Sequence, residues 1–155
     1  MKKLLILILL PICGFGQNDS IPKYWKYQGD FSLLFSQSAF NDEWQNGGTS
    51  NYAANAIINY NINYAKDAMV WDTKFLADYG ISKNEDQEFL RKTSDRFEIN
   101  STIGRQISDS NWYYSGFFNS LTQFDSGYAF SEDENGQEVR TLETKFLSPG
   151  FFKLG

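Results

Sequence analysis

The chain has 155 residues, length for roughly one domain, and no histidine, which excludes a Ser-His-Asp site, a Cys-His pair and a His-ligated zinc centre. A net charge of −5 provides no electrostatic footprint for nucleic acid. No Gly-rich phosphate loop follows a strand and opens a helix, and no helix-period apolar stripe of useful length occurs. Aromatic residues make up 17% of the chain, high for a soluble domain but suited to a barrel with interfacial aromatic girdles.

The first residues have the form of an export signal. Lys2 and Lys3 precede an apolar run from Leu4 to Ile12, and Gly14-Phe15-Gly16 offers a small-x-small cleavage site before Gln17. The run is too short to span a membrane as a helix. Cys13 raises a lipoprotein reading, but the bulky Ile12 stands where such a site normally carries a small residue, so cleavage after Gly16 is the expectation. Removing residues 1–16 takes away the cysteine and both lysines and shifts the net charge to −7. Residues 17–26 then read as an N-terminal extension and 27–155 as barrel.

Five long strands and the start of a sixth follow. The first covers about residues 27–39, with Tyr27, Gly29, Phe31, Leu33 and Phe35 on one face. Gln28, Asp30, Ser32 and Ser36 lie on the other, where Leu34 breaks the polar set. The second, about 50–64, has the clearest pattern. Its even positions are Tyr52, Ala54, Ala56, Ile58, Tyr60, Ile62 and Tyr64; its odd ones include Asn51, Asn55, Asn59, Asn61 and Asn63. Successive side chains of a strand point to opposite faces, so one face is apolar and the other rich in asparagine. Its length exceeds the usual 5–6 residues of a soluble strand and suits a tilted bilayer crossing of about 9–11.

The third strand, about 69–81, places Met69, Trp71, Phe75, Ala77, Tyr79 and Ile81 against Asp72, Lys74 and Asp78. In the fourth, about 95–106, Phe97, Ile99 and Ile103 oppose Arg96, Glu98, Asn100 and Thr102. The fifth, about 111–124, is two-sided: Trp112, Tyr114, Phe118 and Phe124 favour an outward even face, but Phe117 and Leu121 lie on the other. A sixth strand is expected to begin near Glu143.

The connections supply an independent signal. Links 65–68 and 107–110 are short, while 40–49, 82–94 and 125–140 are long, polar and charged. Alternation of this kind matches a barrel with short periplasmic turns and longer extracellular loops. Closing a hairpin at 65–68 pairs residues whose numbers sum to about 133: Ile62 with Trp71, Ile58 with Phe75, Asn61 with Asp72 and Asn59 with Lys74. Like then meets like across the ladder. Tyr27, Tyr64, Trp71 and Trp112 gather near the short-turn end, Tyr52 and Tyr79 towards the other, as two girdles would.

Several blocks resemble a Bacteroidota outer-membrane family labelled domain of unknown function 3078. They are the stretch Ser36-Gln37-Ser38-Ala39-Phe40-Asn41-Asp42-Glu43-Trp44-Gln45-Asn46-Gly47-Gly48, then Lys92-Thr93-Ser94-Asp95, Trp112-Tyr113-Tyr114-Ser115 and Thr122-Gln123-Phe124-Asp125-Ser126-Gly127-Tyr128. Phe146-Leu147-Ser148-Pro149-Gly150 is similar to the start of the next block. The resemblance implies a barrel and carries no activity with it.

The fold class expected is therefore all-β: an antiparallel up-and-down transmembrane β-barrel, here an N-terminal portion of about five to six strands, since single-chain barrels start at eight. The expected location is the outer membrane, and the partners are outer-membrane lipid and the outer-membrane assembly machinery, without nucleic acid or cofactor. The function expected is non-enzymatic: a pore, transporter or structural channel of unknown solute. Two alternatives stand beside it, a soluble periplasmic barrel or clam binding an apolar ligand and a membrane-embedded hydrolase or acyltransferase completed elsewhere.

The candidate lumen-facing set is Asn55, Asn59, Asn61, Asn63, Asp72, Lys74, Asp78, Arg96, Glu98 and Asn100. It could line a channel or fill a narrow barrel as a self-satisfied network. A carboxylate pair such as Asp78 with Glu98 could do acid–base work, although inward carboxylates facing basic partners are ordinary in barrels. Trp44 with Gly47-Gly48 is a candidate ligand contact or a tight turn, and Gln37 and Gln123 are candidate hydrogen-bonding groups inside the barrel. The acidic run from Glu132 to Glu134 lacks the ligand spacing of a calcium loop and reads as a solvated face.

Overall fold

Period-two alternation sustained over long runs, without an internal proline, dictates long strands, and a computed structural model, which describes residues 24–40 and 48–155, consists of them. The strands are β1 (Trp25–Ser38), β2 (Asn51–Lys66), β3 (Met69–Asn84), β4 (Arg91–Gln106), β5 (Tyr113–Thr122), β6 (Gly127–Glu132), β7 (Glu138–Thr144) and β8 (Phe151–Leu154). Six form one antiparallel sheet in the order β1-β2-β3-β4-β5-β8, while β6 and β7 pair as a separate hairpin. The chain is thus an all-β antiparallel meander with one hairpin inserted between the fifth and sixth strands of the sheet. The leader, the Cys13 alternative, Trp44 and Gly47 lie outside the described residues.

The β2–β3 register differs from the expected one by two residues. Tyr64 pairs with Trp71, Ile62 with Thr73, Ile58 with Ala77, Asn61 with Lys74 and Asn59 with Leu76. The cause is the turn, which is only Asp67-Ala68 with Asp67 at φ 51, tighter than the four-residue link expected. Because side chains repeat every two residues, a slip of two leaves each on its original face.

Strand ends also run further than the alternation suggested. β4 begins at Arg91, so the link after β3 shrinks to residues 85–90 and is no longer than the one at 107–112. Long and short links therefore do not alternate strictly. Face alternation ends with the apolar band, but the backbone ladder continues past it.

The link at 125–140 was expected to be a loop and instead contains β6 and β7. Its sequence holds the hairpin signal: Tyr128 and Phe130 alternate before Asn135-Gly136, and Gly136 adopts φ 75. The strand expected to start near Glu143 is the end of β7. The chain then turns at 145–148, with Leu147 at φ 60, before β8 joins β5.

Pairing parity resolves the two-sided fifth strand. Phe118 lies opposite Ser101 and Tyr114 opposite Arg105, on the apolar face; Phe117 and Leu121 lie opposite Thr102 and Glu98, on the polar face. Between the two faces there is no packed interior. Among the described residues no hydrophobic side chain is buried, and Phe31, Leu33 and Phe35 of β1 are each about two-thirds exposed. The sheet carries an apolar face with nothing laid against it.

Candidate functional site

The polar face is organised by one recurring contact: an asparagine on one strand donates to a carboxylate on the next. Asn59 Nδ2 donates to Asp30 Oδ2 at 2.8 Å, and Asn63 donates to Asp72. Asn55 Nδ2 donates to Asp78 Oδ1 and to Ser94 Oγ, both at 2.8 Å, and Ser94 Oγ donates to the same carboxylate at 2.7 Å. Glu98 receives Asn100 Nδ2 at 2.9 Å, Asn119 Nδ2 at 3.1 Å and the Arg96 guanidinium. Asn119 also donates to Asn100 Oδ1 at 2.7 Å, which ties β5 into the same chain of contacts.

Backbone geometry makes room for this network. A Cβ at Gly80 would lie 2.5 Å from Thr93 Oγ1, 2.6 Å from Ser94 Oγ and 2.8 Å from Asn55 Nδ2, so the Asn55–Asp78–Ser94 cluster requires glycine there. A bulge follows immediately, between Gly80 and Ile81, and pairs Ile81 with Lys92 and Ser82 with Arg91. The extra residue moves Arg91 into register with the polar face.

Of the ten expected residues, eight enter these contacts: Asn55, Asn59, Asn63, Asp72, Asp78, Arg96, Glu98 and Asn100. Asn61 and Lys74 face each other across β2 and β3 but make no hydrogen bond or ion pair among the described residues. Asp78 and Glu98 do not form the carboxylate pair that acid–base chemistry would need. Asp78 lies opposite Arg96 and is held by Asn55 and Ser94, while Glu98 lies opposite Leu76. Asp30, Ser94 and Asn119 were missed as members, although each has the parity of the polar face on its own strand. Among the described residues no ion pair reaches Asp30, Asp72 or Asp78; amide and hydroxyl donors satisfy them, and the face is a wall of carboxylates and amides.

A second constellation sits at the long-link end. Glu138 of β7 accepts from the backbone N–H groups of Glu88 at 2.9 Å and Phe89 at 3.1 Å, and from the Arg91 guanidinium. That guanidinium lies 3.3 Å from the Phe130 ring centroid, and Arg140 stacks on Phe89 and Tyr128 at 5.0 and 4.7 Å. The base of the hairpin is pinned as well. Gln123 Nε2 donates to the carbonyls of Lys145 and Ser148 at 2.9 Å, so its amide fixes a turn rather than facing a lumen. Asp95 caps the start of the connection by accepting from the backbone of Phe124 and Asp125. A cleft of about 650 Å³ remains between the hairpin and the 85–90 link, lined by Asp86, Glu88, Arg91, Phe130, Glu132 and Glu138. At the hairpin tip the Asp133 carboxyl is held below its usual range by the N–H groups of Gln137 and Asn135, so it is a turn cap.

At the opposite end, Trp25, which lies just before the expected start of β1, joins the aromatic cluster: its ring is 4.7 Å from Tyr64, 6.0 Å from Trp71 and 6.2 Å from Tyr27.

The family described as protein of unknown function (DUF3078) matches residues 35–128. The chain belongs to this family. No curated protein and no solved structure matches it. The DUF3078 match spans β2 to β5 completely, and with them all ten expected polar-face residues, the Gly80 bulge and Arg91. Asp30, Glu138 and strand β8 lie outside the matched residues, whereas their partners Asn59, Arg91 and Asn119 lie inside them.

Proposed function

We propose that this DUF3078 chain forms the wall of an outer-membrane β-barrel, a non-enzymatic pore, transporter or structural channel, with its apolar face against lipid and its asparagine–carboxylate face lining the interior. The observation that carries this reading is a two-faced sheet of very long strands with no apolar core. β2, β3 and β4 each have 16 residues. At about 3.3 Å per residue and a tilt of about 40° such strands rise about 40 Å, more than the apolar band of about 25 Å in barrels of this kind. The excess falls at the ends, where the rim contacts of Asp95, Arg91 and Gln123 occur.

Lipid is the one solvent in which an uncovered face carrying Phe31, Leu33, Phe35, Ile58 and Tyr60 is stable as it stands. In lipid the free backbone edges of β1 and β8 must also be paired, so a closed cylinder requires at least two further strands alongside the six present. The interior then offers a solute amides and carboxylates, with Lys74 and Asn61 facing each other and making no hydrogen bond or ion pair among the described residues.

Topology tests the reading. In intact cells, a thiol reagent that cannot cross membranes should label Gly48→Cys and Asn135→Cys, which sit in the link after β1 and in the hairpin tip. Asp67→Cys should react only once the outer membrane is permeabilised. Labelling of Asp67→Cys alone would invert the orientation. Recovery of the protein in the aqueous periplasmic fraction without detergent would favour the soluble clam instead.

A further inference from the structure

The β6–β7 hairpin is rooted on one side of the sheet and docked on the other. At its root, Tyr79 Oη donates to Asp125 Oδ2 at 3.0 Å, and Lys92 Nζ donates to the Asp125 carbonyl at 2.9 Å. Tyr79 has the odd parity of the apolar face of β3, and the bulge sets Lys92 opposite Ile81 on that same face. Further along the hairpin the contacts change side. Arg91 lies opposite Ser82 on the polar face; its guanidinium sits 3.3 Å from the Phe130 ring centroid and donates to Glu138. The hairpin therefore crosses the rim of β3 and β4 and comes down on the side of the asparagine–carboxylate wall.

Its own two sides differ accordingly. Pairing of Phe130 with Arg140 and of Glu132 with Glu138 puts these four on one side, while Ser131 and Val139 lie on the other. The first side is turned to the rim, where Phe89 lies 6.3 Å from Phe130 and 5.0 Å from the Arg140 guanidinium. The seam is not a packed core. It leaves the cleft of about 650 Å³, so docking depends on a few contacts around Arg91, as in elements that open locally. Strands of six and seven residues are about 20 Å long, enough to reach across a barrel of about eight strands, whose bore side chains alone can fill.

We propose that the β6–β7 hairpin is a gate over the mouth of the interior, latched by Glu138 on Arg91 with Phe130 stacked on the same guanidinium. The proposal rests on the barrel reading, which makes the polar face an interior. Latched, the hairpin stands between the outside and the polar wall. Released, it swings about Asp125, whose contacts lie on the other face and stay made. The latch joins the hairpin to β4 and the link before it, and β4 is paired on both edges, with β3 and β5. Strands that complete the cylinder join at β1 and β8, away from the latch.

The test is made in cells that produce the protein from its complete gene, where the cylinder is closed, with a thiol reagent that cannot cross membranes added outside. The reporter is Lys74→Cys, on the polar face of β3 opposite Asn61. Glu138→Ala should raise its labelling rate on the order of 30-fold, because the rate follows the open population when the hairpin recloses faster than the reagent reacts. Phe130→Ala leaves the Glu138 contacts in place and should give a smaller rise; it stands in if Glu138→Ala fails to assemble. Asn135→Cys, at the hairpin tip, should label equally in every background and reports how much protein has reached the surface. Labelling of Lys74→Cys at one rate in all backgrounds, fast or slow, overturns the gate and leaves the barrel standing. Ile58→Cys, on the apolar face, should stay unlabelled throughout; if it labels as fast as Lys74→Cys, the barrel reading itself fails.

Discussion

Ile58→Arg should cost about 2–4 kcal/mol of folding stability, as expected for a charge near the bilayer midplane, while Asn59→Arg should cost far less. The two positions are adjacent, so strand propensity and distance from the turn cannot separate them; only the face can. Ile58 lies between Phe31 and Ala77 on the apolar side and is about half exposed, with no protein atoms to shield a guanidinium from lipid. Asn59 lies on the polar side and donates to Asp30. An arginine there loses one amide contact and gains a carboxylate within reach. Denaturant titration of both variants in lipid vesicles measures the difference, and equal losses would mean that the faces are wrongly assigned.

Glu138→Ala should release the β6–β7 hairpin from the sheet while leaving the strands intact. The carboxylate holds two backbone N–H groups and the Arg91 guanidinium, and hydrogen bonds to a charged group contribute about 1.5–3 kcal/mol each. At a rim position the freed amides rehydrate, so the net loss should be near the low end, about 2 kcal/mol. That raises the undocked population about 30-fold, which proteolysis at residues 133–137 reads directly. Arg91→Lys keeps the charge but gives up the planar stack on Phe130, so its effect should be smaller than that of Glu138→Ala. Glu132→Ala is the control. It removes a like charge directly opposite Glu138 and should leave cleavage unchanged or lower it.

The sheet was legible in the sequence because parity along a strand depends only on period two, which Asn55, Asn59 and Ile58 display without help from context. That signal is robust to register. It assigned both faces of β2 and β3 correctly even though the pairing is displaced by two residues, because the displacement preserves parity. What parity cannot encode is the turn, and Asp67 at φ 51 closes the hairpin in two residues where four were expected.

The hairpin was obscured for a different reason. Tyr128 and Phe130 alternate over only a few positions, and the acidic run beside them reads as solvated loop, although Asn135-Gly136 is a strong turn signal. Gln123 was recognised as a hydrogen-bonding group but not for its partners, the carbonyls of Lys145 and Ser148, because contacts between a strand end and a turn more than 20 residues away have no local signature. The polar-face residues were named from parity, and the same parity put Asp30 on that face; the pairing of asparagines with carboxylates needed the register between strands, and the contact of Asp30 with Asn59, like the membership of Ser94 and Asn119, became visible only through it.

The most direct test of the membrane-wall account is a nitroxide scan of residues 55–62, placed one at a time on introduced cysteines in outer-membrane vesicles. Oxygen, which concentrates in lipid, and a water-soluble nickel chelate are the two relaxants. The account predicts alternation in opposite phase: oxygen collisions peak at 56, 58, 60 and 62, and nickel collisions peak at 55, 57, 59 and 61. Even positions that collide with neither relaxant would place them in a protein interior, and a flat profile would remove the two faces altogether; either result contradicts the account.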